Sequence, residues 1–210
     1  MAGARRSSRA GARGNRLVMI EIDLGNLLNL RTYFEAMPER TERAAALAIN
    51  RVAERQAQTL IKREMLKNIA FKYGYVTKHI GVGKYASPSN LYAVIEAKDT
   101  PTTLFRFTGM SVAPRGKTKV KVTVGTGNTK IMDGAFYATL RGTPQVMLRT
   151  KTNAPPHGIA RGGGKQIAPH LWLLYAPSVD QVFRTVADDE IPAIENELVY
   201  EFRRQFARIK

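Results

Sequence analysis

The sequence predicts an α+β fold in which a long N-terminal helix and C-terminal helices pack on an antiparallel β-sheet. Three observations carry that expectation. An apolar stripe at helical spacing starts at Pro38, short β-branched or alternating segments joined by glycine turns fill the middle of the chain, and further apolar stripes follow Pro177. With 210 residues, 44% of them hydrophobic, there is enough apolar matter for one core, so 17–210 reads as a single domain behind a basic arm at 1–16.

Taken in order, the arm holds Arg5, Arg6, Arg9, Arg13 and Arg16 with no acid and no signal-peptide core, and reads as disordered. LVMIEID at 17–23 predicts a strand, and Leu24, Leu27, Leu28 and Phe34 follow at helical spacing. Pro38 suits the first turn of a helix, whose positive end Glu39 and Glu42 favour, and nothing breaks that helix until about Ile69. Within it Ala45, Ala48, Ile49, Val52 and Leu60 share a face, with Arg43, Arg51, Arg55 and Lys62 off it. Ile61, Met65 and Ile69 turn away from that stripe, which is compatible with an oligomer contact.

Gly74, Gly81, Gly83 and Ser87-Pro88 make 71–90 a loop with at most a short helical turn, after which 91–97 and LFRF at 104–107 read as strands. From Lys117 to Val124 the residues alternate, with Lys117, Lys119 and Lys121 on one side and Val120, Val122 and Val124 on the other, as in a half-buried strand with a basic outer face. Gly125–Asn128 makes a turn, and 135–140 and 146–150 are strands linked by Gly142-Thr143-Pro144. Pro155-Pro156 and the glycines at 162–164 make 151–168 a flexible Gly/Pro-rich loop. Val179, Val182, Phe183 and Val186 form one stripe and Ile191, Ile194, Leu198, Phe202 and Phe206 another, predicting two closing helices, the last capped by Asp188 and Asp189.

Charge is unevenly placed. Lys and Arg number 33 against 17 Asp and Glu, a net of +16. Residues 100–179 hold eleven bases and the single acid Asp133, while 180–210 hold seven acids and five bases, a polarity that suggests different partners for different faces. The absence of cysteine excludes disulfides, thiolate nucleophiles and cysteine-ligated metal. The longest apolar run, Leu171–Ala176, is too short to span a bilayer, so the expectation is a soluble protein made and used in a cytoplasm, without a membrane partner.

Catalytic patterns fail on inspection. Gly116-Lys117-Thr118 ends like a phosphate-binding loop, but Ser111 stands where the first glycine belongs and a strand follows. His79, His157 and His170 lack ligand or triad spacing, Asp188, Asp189 and Glu190 read as helix-start carboxylates, and Glu21 with Asp23 has no cleft. The chain is therefore expected to be neither an enzyme nor a cofactor or metal binder. Arg5, Arg6, Arg9, Arg13, Arg115, Lys117, Lys119 and Lys121 are the candidate DNA contacts, with Arg106 and Lys130 nearby in sequence; such a set neutralises phosphates without reading bases. Taken alone, the strand lysines also fit a solvated face that prevents edge pairing. Tyr73, Tyr75 and Tyr85 interleave with Lys72, Lys78 and Lys84, a pattern that suits base stacking or ordinary packing.

Three stretches together resemble the phage minor tail protein Z family, the tail-completion proteins of long-tailed, lambda-like phages. They are ALAINRVAERQAQ at 46–58, the basic strand with GAFYATLRGTPQVMLR at 134–149, and IAPHLWLLYAPSVDQVFRTV at 167–186, within a resemblance covering roughly 38–208. It implies a tail-terminator-like structural virion protein, assembled in the host bacterial cytoplasm and seated at the head-proximal tail end. There it would join head to tail and position the genome end. The implied partners are copies of itself in a ring, by analogy a hexamer, the tail terminator, head–tail connector proteins and the end of the packaged DNA. Apolar helix ends would then meet neighbours, which adds Trp172, Tyr175, Phe202 and Phe206 to Ile61, Met65 and Ile69 as interface candidates. The alternative from another class is a non-specific nucleic-acid-binding module with no virion role. The Arg-rich arm and the glycine-rich loop depart from the family pattern.

Overall fold

A computed structural model describes residues 4–7, 18–23, 35–114, 118–156 and 163–209. Arg9, Arg13, Arg115, Lys117, His157 and the helical spacing read over 24–34 lie outside them. The chain is α+β, with helices and antiparallel sheets. The fold has two compact units: Met1–Met65 with Tyr73–Asp99 and Val179–Lys210, and Leu66–Lys72 with Thr100–Ser178.

In the first unit β1 (Ala4–Ser7), β2 (Val18–Asp23), β3 (Ile80–Lys84) and β4 (Tyr92–Ala97) form an antiparallel sheet in the order β1-β2-β4-β3. The arm is thus a strand at 4–7, its Arg5 and Arg6 in register with Glu21 and Ile20. The loop expected over 71–90 is instead a short helix, α3 (Tyr73–His79), running into β3. Of the two glycines of β3, Gly83 lies where the register shifts between Val82 and Lys84, with the end of the Glu96 side chain in the space its Cβ would need, whereas a Cβ on Gly81 would meet nothing within 4 Å.

The helical stretch from Pro38 is built in three segments, α1 (Pro38–Arg51), a π turn (Val52–Ala57) and α2 (Gln58–Asn68). Ala44, Ala45, Ala48 and Ile49 are fully buried, small side chains that admit close packing against α4 (Val179–Arg208). Arg40 on α1 covers the Phe206 ring at 4.5 Å and donates to the Phe206 carbonyl at 2.9 Å, satisfying a carbonyl in the last turn of α4. The π turn takes about one extra residue, which sets every later side chain back by roughly 100°. Ile61 and Met65, which straight helical spacing turns outward, are therefore fully buried, whereas Leu60 is only half-buried. Asn50 fastens this stretch to the chain before β4, donating to the Ala86 carbonyl at 2.9 Å and accepting from the Ala86 amide at 2.7 Å. A hydrogen bond to Glu54, more than burial or charge, holds the neighbouring Tyr85 hydroxyl above its usual value.

The two closing helices of the sequence reading are one, α4, with Pro192 and the expected capping aspartates inside it. Val182, Phe183 and Val186 are buried before the proline and Ile194, Leu198 and Phe202 after it; at 100° per residue the second set lies about a third of a turn round from the first, so the packed side rotates along α4. Two carboxylates go inside with it: Asp180 receives Arg184 at 2.8 Å, and Glu201 receives Arg204 at 2.7 Å and a short bond from Gln205.

In the second unit β10 (Gly164–Ala168), β11 (Leu171–Ala176), β9 (Thr143–Arg149) and β8 (Ala135–Leu140) lie in that order, all antiparallel, and β5 (Thr102–Thr103) pairs with the end of β11. Arg141 and Gly142 have φ of 49° and 76°, the left-handed pair that a two-residue hairpin turn needs. LFRF at 104–107 is a 3-10 turn, not a strand; it buries Leu104, Phe105 and Phe107 and leaves Arg106 exposed, and Phe107 stacks on Phe71 at 5.4 Å. β10 lies within the stretch expected to be a flexible loop; it is an edge strand held by backbone pairing to β11 and shows little apolar alternation. A separate hairpin joins β6 (Val120–Thr123) to β7 (Thr129–Met132).

Two stability outcomes follow from the first unit. Pro192 is exposed and lacks the amide its turn requires, so Pro192→Ala is expected to raise unfolding free energy by roughly 1–3 kcal/mol in urea titrations. Lys62 is 7% exposed, its ammonium donating to Gln58 at 2.9 Å, and burial pushes it below the usual lysine value of 10.5. Between its lowered native value and 10.5 the unfolded chain binds the extra proton, so this lysine makes stability rise with pH across that window. Lys62→Met should remove that rise, measured as the difference in denaturant midpoint between neutral pH and about pH 10.

Candidate nucleic-acid interface

The charge of the chain is partitioned between the units. Leu66–Lys72 with Thr100–Ser178 carries 13 Lys and Arg against the single acid Asp133, a net of +12, while the other unit has 20 bases against 16 acids, a net of +4. One carboxylate cannot neutralise thirteen cations. Both ion pairs described above, Arg184–Asp180 and Arg204–Glu201, belong to the nearly balanced unit.

The strands dictate where these cations point. Val120 and Val122 are buried and Lys121 between them is exposed, as the alternation predicts, and exposed Lys119 precedes them two residues away, about 7 Å along an extended chain. The register pairs Lys121 with Ile131 and Thr123 with Thr129, so these four share the outer face of the hairpin, the two threonine hydroxyls meeting at 2.7 Å. Lys130 stands opposite Val122 on the outer strand and is exposed. Beside the turn, Ala70 donates to the Val124 carbonyl at 2.8 Å and Ile69 bridges Gly125, which brings the flanking Lys67 and Lys72, both exposed, to the same hairpin. On the larger sheet Arg141 sits at a hairpin tip and Arg149, Lys151 and Lys165 are exposed at or beside strand ends.

Of the candidate DNA contacts, then, Lys119 and Lys121 are exposed together on one hairpin, and Arg5 and Arg6 lie on β1 in the other unit. Lys67, Arg141, Arg149, Lys151 and Lys165 carry no signal of such contact in the sequence, and Lys72 has one only through its interleaving with tyrosines. Lys67 and Lys72 are separated from the rest by α3, β3 and β4, which belong to the other unit, and Lys130 reaches the hairpin through a strand at 129–132 paired to β6.

Most of the interface candidates are corrected. Ile61, Met65 and Phe202 are at most 1% exposed and Trp172 is 8% exposed, so each is spent on the chain's own core. The Trp172 ring lies against Gly164 on β10, where an added Cβ would meet it at 3.5 Å. Ile69, Tyr175 and Phe206 are half-buried, Phe206 under Arg40. His79 stacks on Tyr75 at 4.1 Å with Nδ1 2.8 Å from the Tyr75 carbonyl, and His170 occupies the exposed β10–β11 turn at φ 61°. Lys84 lies over the Tyr92 ring at 3.8 Å, so one lysine of the tyrosine-interleaved set is engaged internally.

Among the described residues no group of three or more His, Asp or Glu is placed to hold a metal ion, and no helix is long and apolar enough to cross a membrane. No protein-family model, curated protein or solved structure matches the chain.

Thirteen cations against one acid repel one another, so screening or a bound polyanion should stabilise this unit. Raising salt from about 0.02 to 0.3 M is expected to lift its thermal midpoint by roughly 2–6 °C, and heparin or duplex DNA at low salt to lift it at least as far. A melting curve insensitive to both would contradict the electrostatic account.

Proposed function

We propose that this chain is a structural virion protein, a minor tail protein that completes the head-proximal end of a phage tail, and that its basic unit is the part that meets the packaged DNA. The observation that carries the DNA half is the concentration of a net +12 in one compact unit whose described lysines and arginines are all exposed. Cations that alternate with a buried strand face, without an acidic counterpart, suit a polymer of phosphates and carry no base-reading geometry. The tail half rests on the resemblance to the minor tail protein Z family. Its stretches fall on regular elements: 46–58 on α1, the π turn and the start of α2, 134–149 on the β8–β9 hairpin, and 167–186 on β11 and the start of α4. On this reading the fold is tail-terminator-like, the long helix and α4 serve neighbouring copies, the tail terminator and the connector, and no catalytic step is involved.

Binding by roughly six phosphate contacts would make affinity for free duplex fall about a thousandfold between 50 and 200 mM salt, with little preference for sequence. The deciding experiment is gold-labelled antibody on intact particles and isolated tails in the electron microscope. Label at the head-proximal end is expected; accessible epitopes with no label on either sample would favour a free nucleic-acid-binding module. Replacing Arg5, Arg6, Arg9, Arg13, Lys117, Lys119 and Lys121 by serine is expected to lower DNA affinity and impair assembly of particles. If both stay unchanged, the DNA role is lost.

A further inference from the structure

Between β10 and β11 the chain reverses through Pro169 and His170, the residues between Ala168 and Leu171, which pair. His170 has φ 61°, and a proline followed by a left-handed residue is the pattern of a type II turn, whose second place ordinarily goes to glycine or asparagine. Both backbone groups of His170 are fastened. Its amide donates to the Asn153 side-chain oxygen at 2.9 Å, and its carbonyl accepts from the Thr150 amide at 2.9 Å. Gln166 donates to the same Asn153 oxygen at 3.2 Å. The imidazole itself is exposed and makes no hydrogen bond among the described residues. Histidine thus occupies a position that glycine would fill with less strain, and its ring takes no part in holding the turn.

The charges nearest in the sheet are mostly cationic. Arg149 is in register with Leu171, and the Thr150–His170 bond carries the pairing one residue further, so Arg149 and Lys151 flank the residue opposite His170. Both are exposed, as is Lys165 on β10. Asp133, the single acid of this unit, precedes β8, two strand spacings or about 10 Å across the sheet from β11. A phosphate drawn to Arg149 and Lys151 meets an imidazole that donates from both ring nitrogens once protonated. An imidazole changes charge between about pH 5 and 8, a range in which phosphodiesters keep theirs.

We infer that His170, with Arg149 and Lys151, is a contact for the DNA backbone in which the imidazole binds a phosphate as the protonated donor, so that DNA binding takes up a proton. The contact rests on the reading that this unit meets DNA, and it lies on the larger sheet, not on the hairpin of Lys119 and Lys121. A bound phosphate favours the charged ring, so affinity is greatest at the acid end of that range and declines as pH rises through it.

The test is fluorescence anisotropy of a duplex without terminal phosphates, titrated with the full chain at fixed ionic strength, at about pH 5.5 and about pH 7.5. Wild type is expected to bind roughly three- to tenfold more tightly at the lower pH. His170→Asn, which tolerates a left-handed backbone and takes up no proton, should lose most of that gain, its affinity at the higher pH staying within about twofold of wild type. His170→Lys is charged at both values and should bind at the higher pH about as tightly as wild type at the lower. His79→Gln and His157→Gln should keep the wild-type dependence. His170→Gly is expected to melt at the same or a higher temperature than wild type, because glycine suits φ 61°, and yet to lose the pH gain, which separates the ring from the stability of the turn. Equal wild-type affinity at the two pH values, or an undiminished gain in folded His170→Asn and His170→Gly, overturns the inference and leaves the DNA reading intact. Absence of duplex binding at both pH values overturns the two together.

Discussion

From Pro38 to Asn68 one helical stretch must keep the same side toward the same neighbours for eight turns, and a straight α-helix cannot do so if its apolar residues drift. The π turn at Val52–Ala57 resolves that conflict by inserting roughly one residue into the count. Upstream, alanines let α4 approach; downstream, Ile61 and Met65 swing back inside. The turn also lies next to the two anchors of the segment before β4, Asn50 to Ala86 and Glu54 to Tyr85, so re-phasing and tethering occur together. The sheet, α4 and the buried Lys62 are all arranged around this helical stretch.

The same economy of contacts separates the charges. Paired carboxylates and arginines are found where α4 packs, as the buried Asp180 and Glu201 with their arginines illustrate. The other unit has a single acid, and its described cations are all exposed, on the β6–β7 hairpin, at a hairpin tip, at strand ends and on short helical turns. Spread over several exposed elements, those cations are screened by water and salt, which limits their mutual repulsion. Such a surface is suited to an extended anionic partner such as a nucleic-acid backbone.

Several elements could be read from residues alone because their patterns are local. The alternation at 120–122, the strand at 92–97, Pro38 at a helix start and the hairpin strands at 135–149 all follow from neighbours two to four positions away. Others could not. LFRF offers a continuous apolar run that a strand and a 3-10 turn satisfy equally, and β10 gains its hydrogen bonds from β11 with almost no apolar signal of its own. Gly81 and Gly83 look like loop residues, yet both pair with β4, the end of the Glu96 side chain filling the space beside Gly83. Asp188 and Asp189 look like a cap until one helix is seen to run from Val179 through them and Pro192 to Arg208.

By itself, then, the sequence determined the α+β class, the excess of positive charge and its bias to the middle of the chain, because composition and short-range periodicity are properties of the chain before it folds. Only the tertiary structure decided which apolar residues were spent internally, since Ile61, Met65, Trp172 and Phe202 are buried by partners distant in sequence and by one extra residue in a helix. It also decided which cations belong together. Lys67 and Lys72 join the β6–β7 hairpin through backbone hydrogen bonds that connect residues more than fifty positions apart, and no pattern within either segment encodes that meeting.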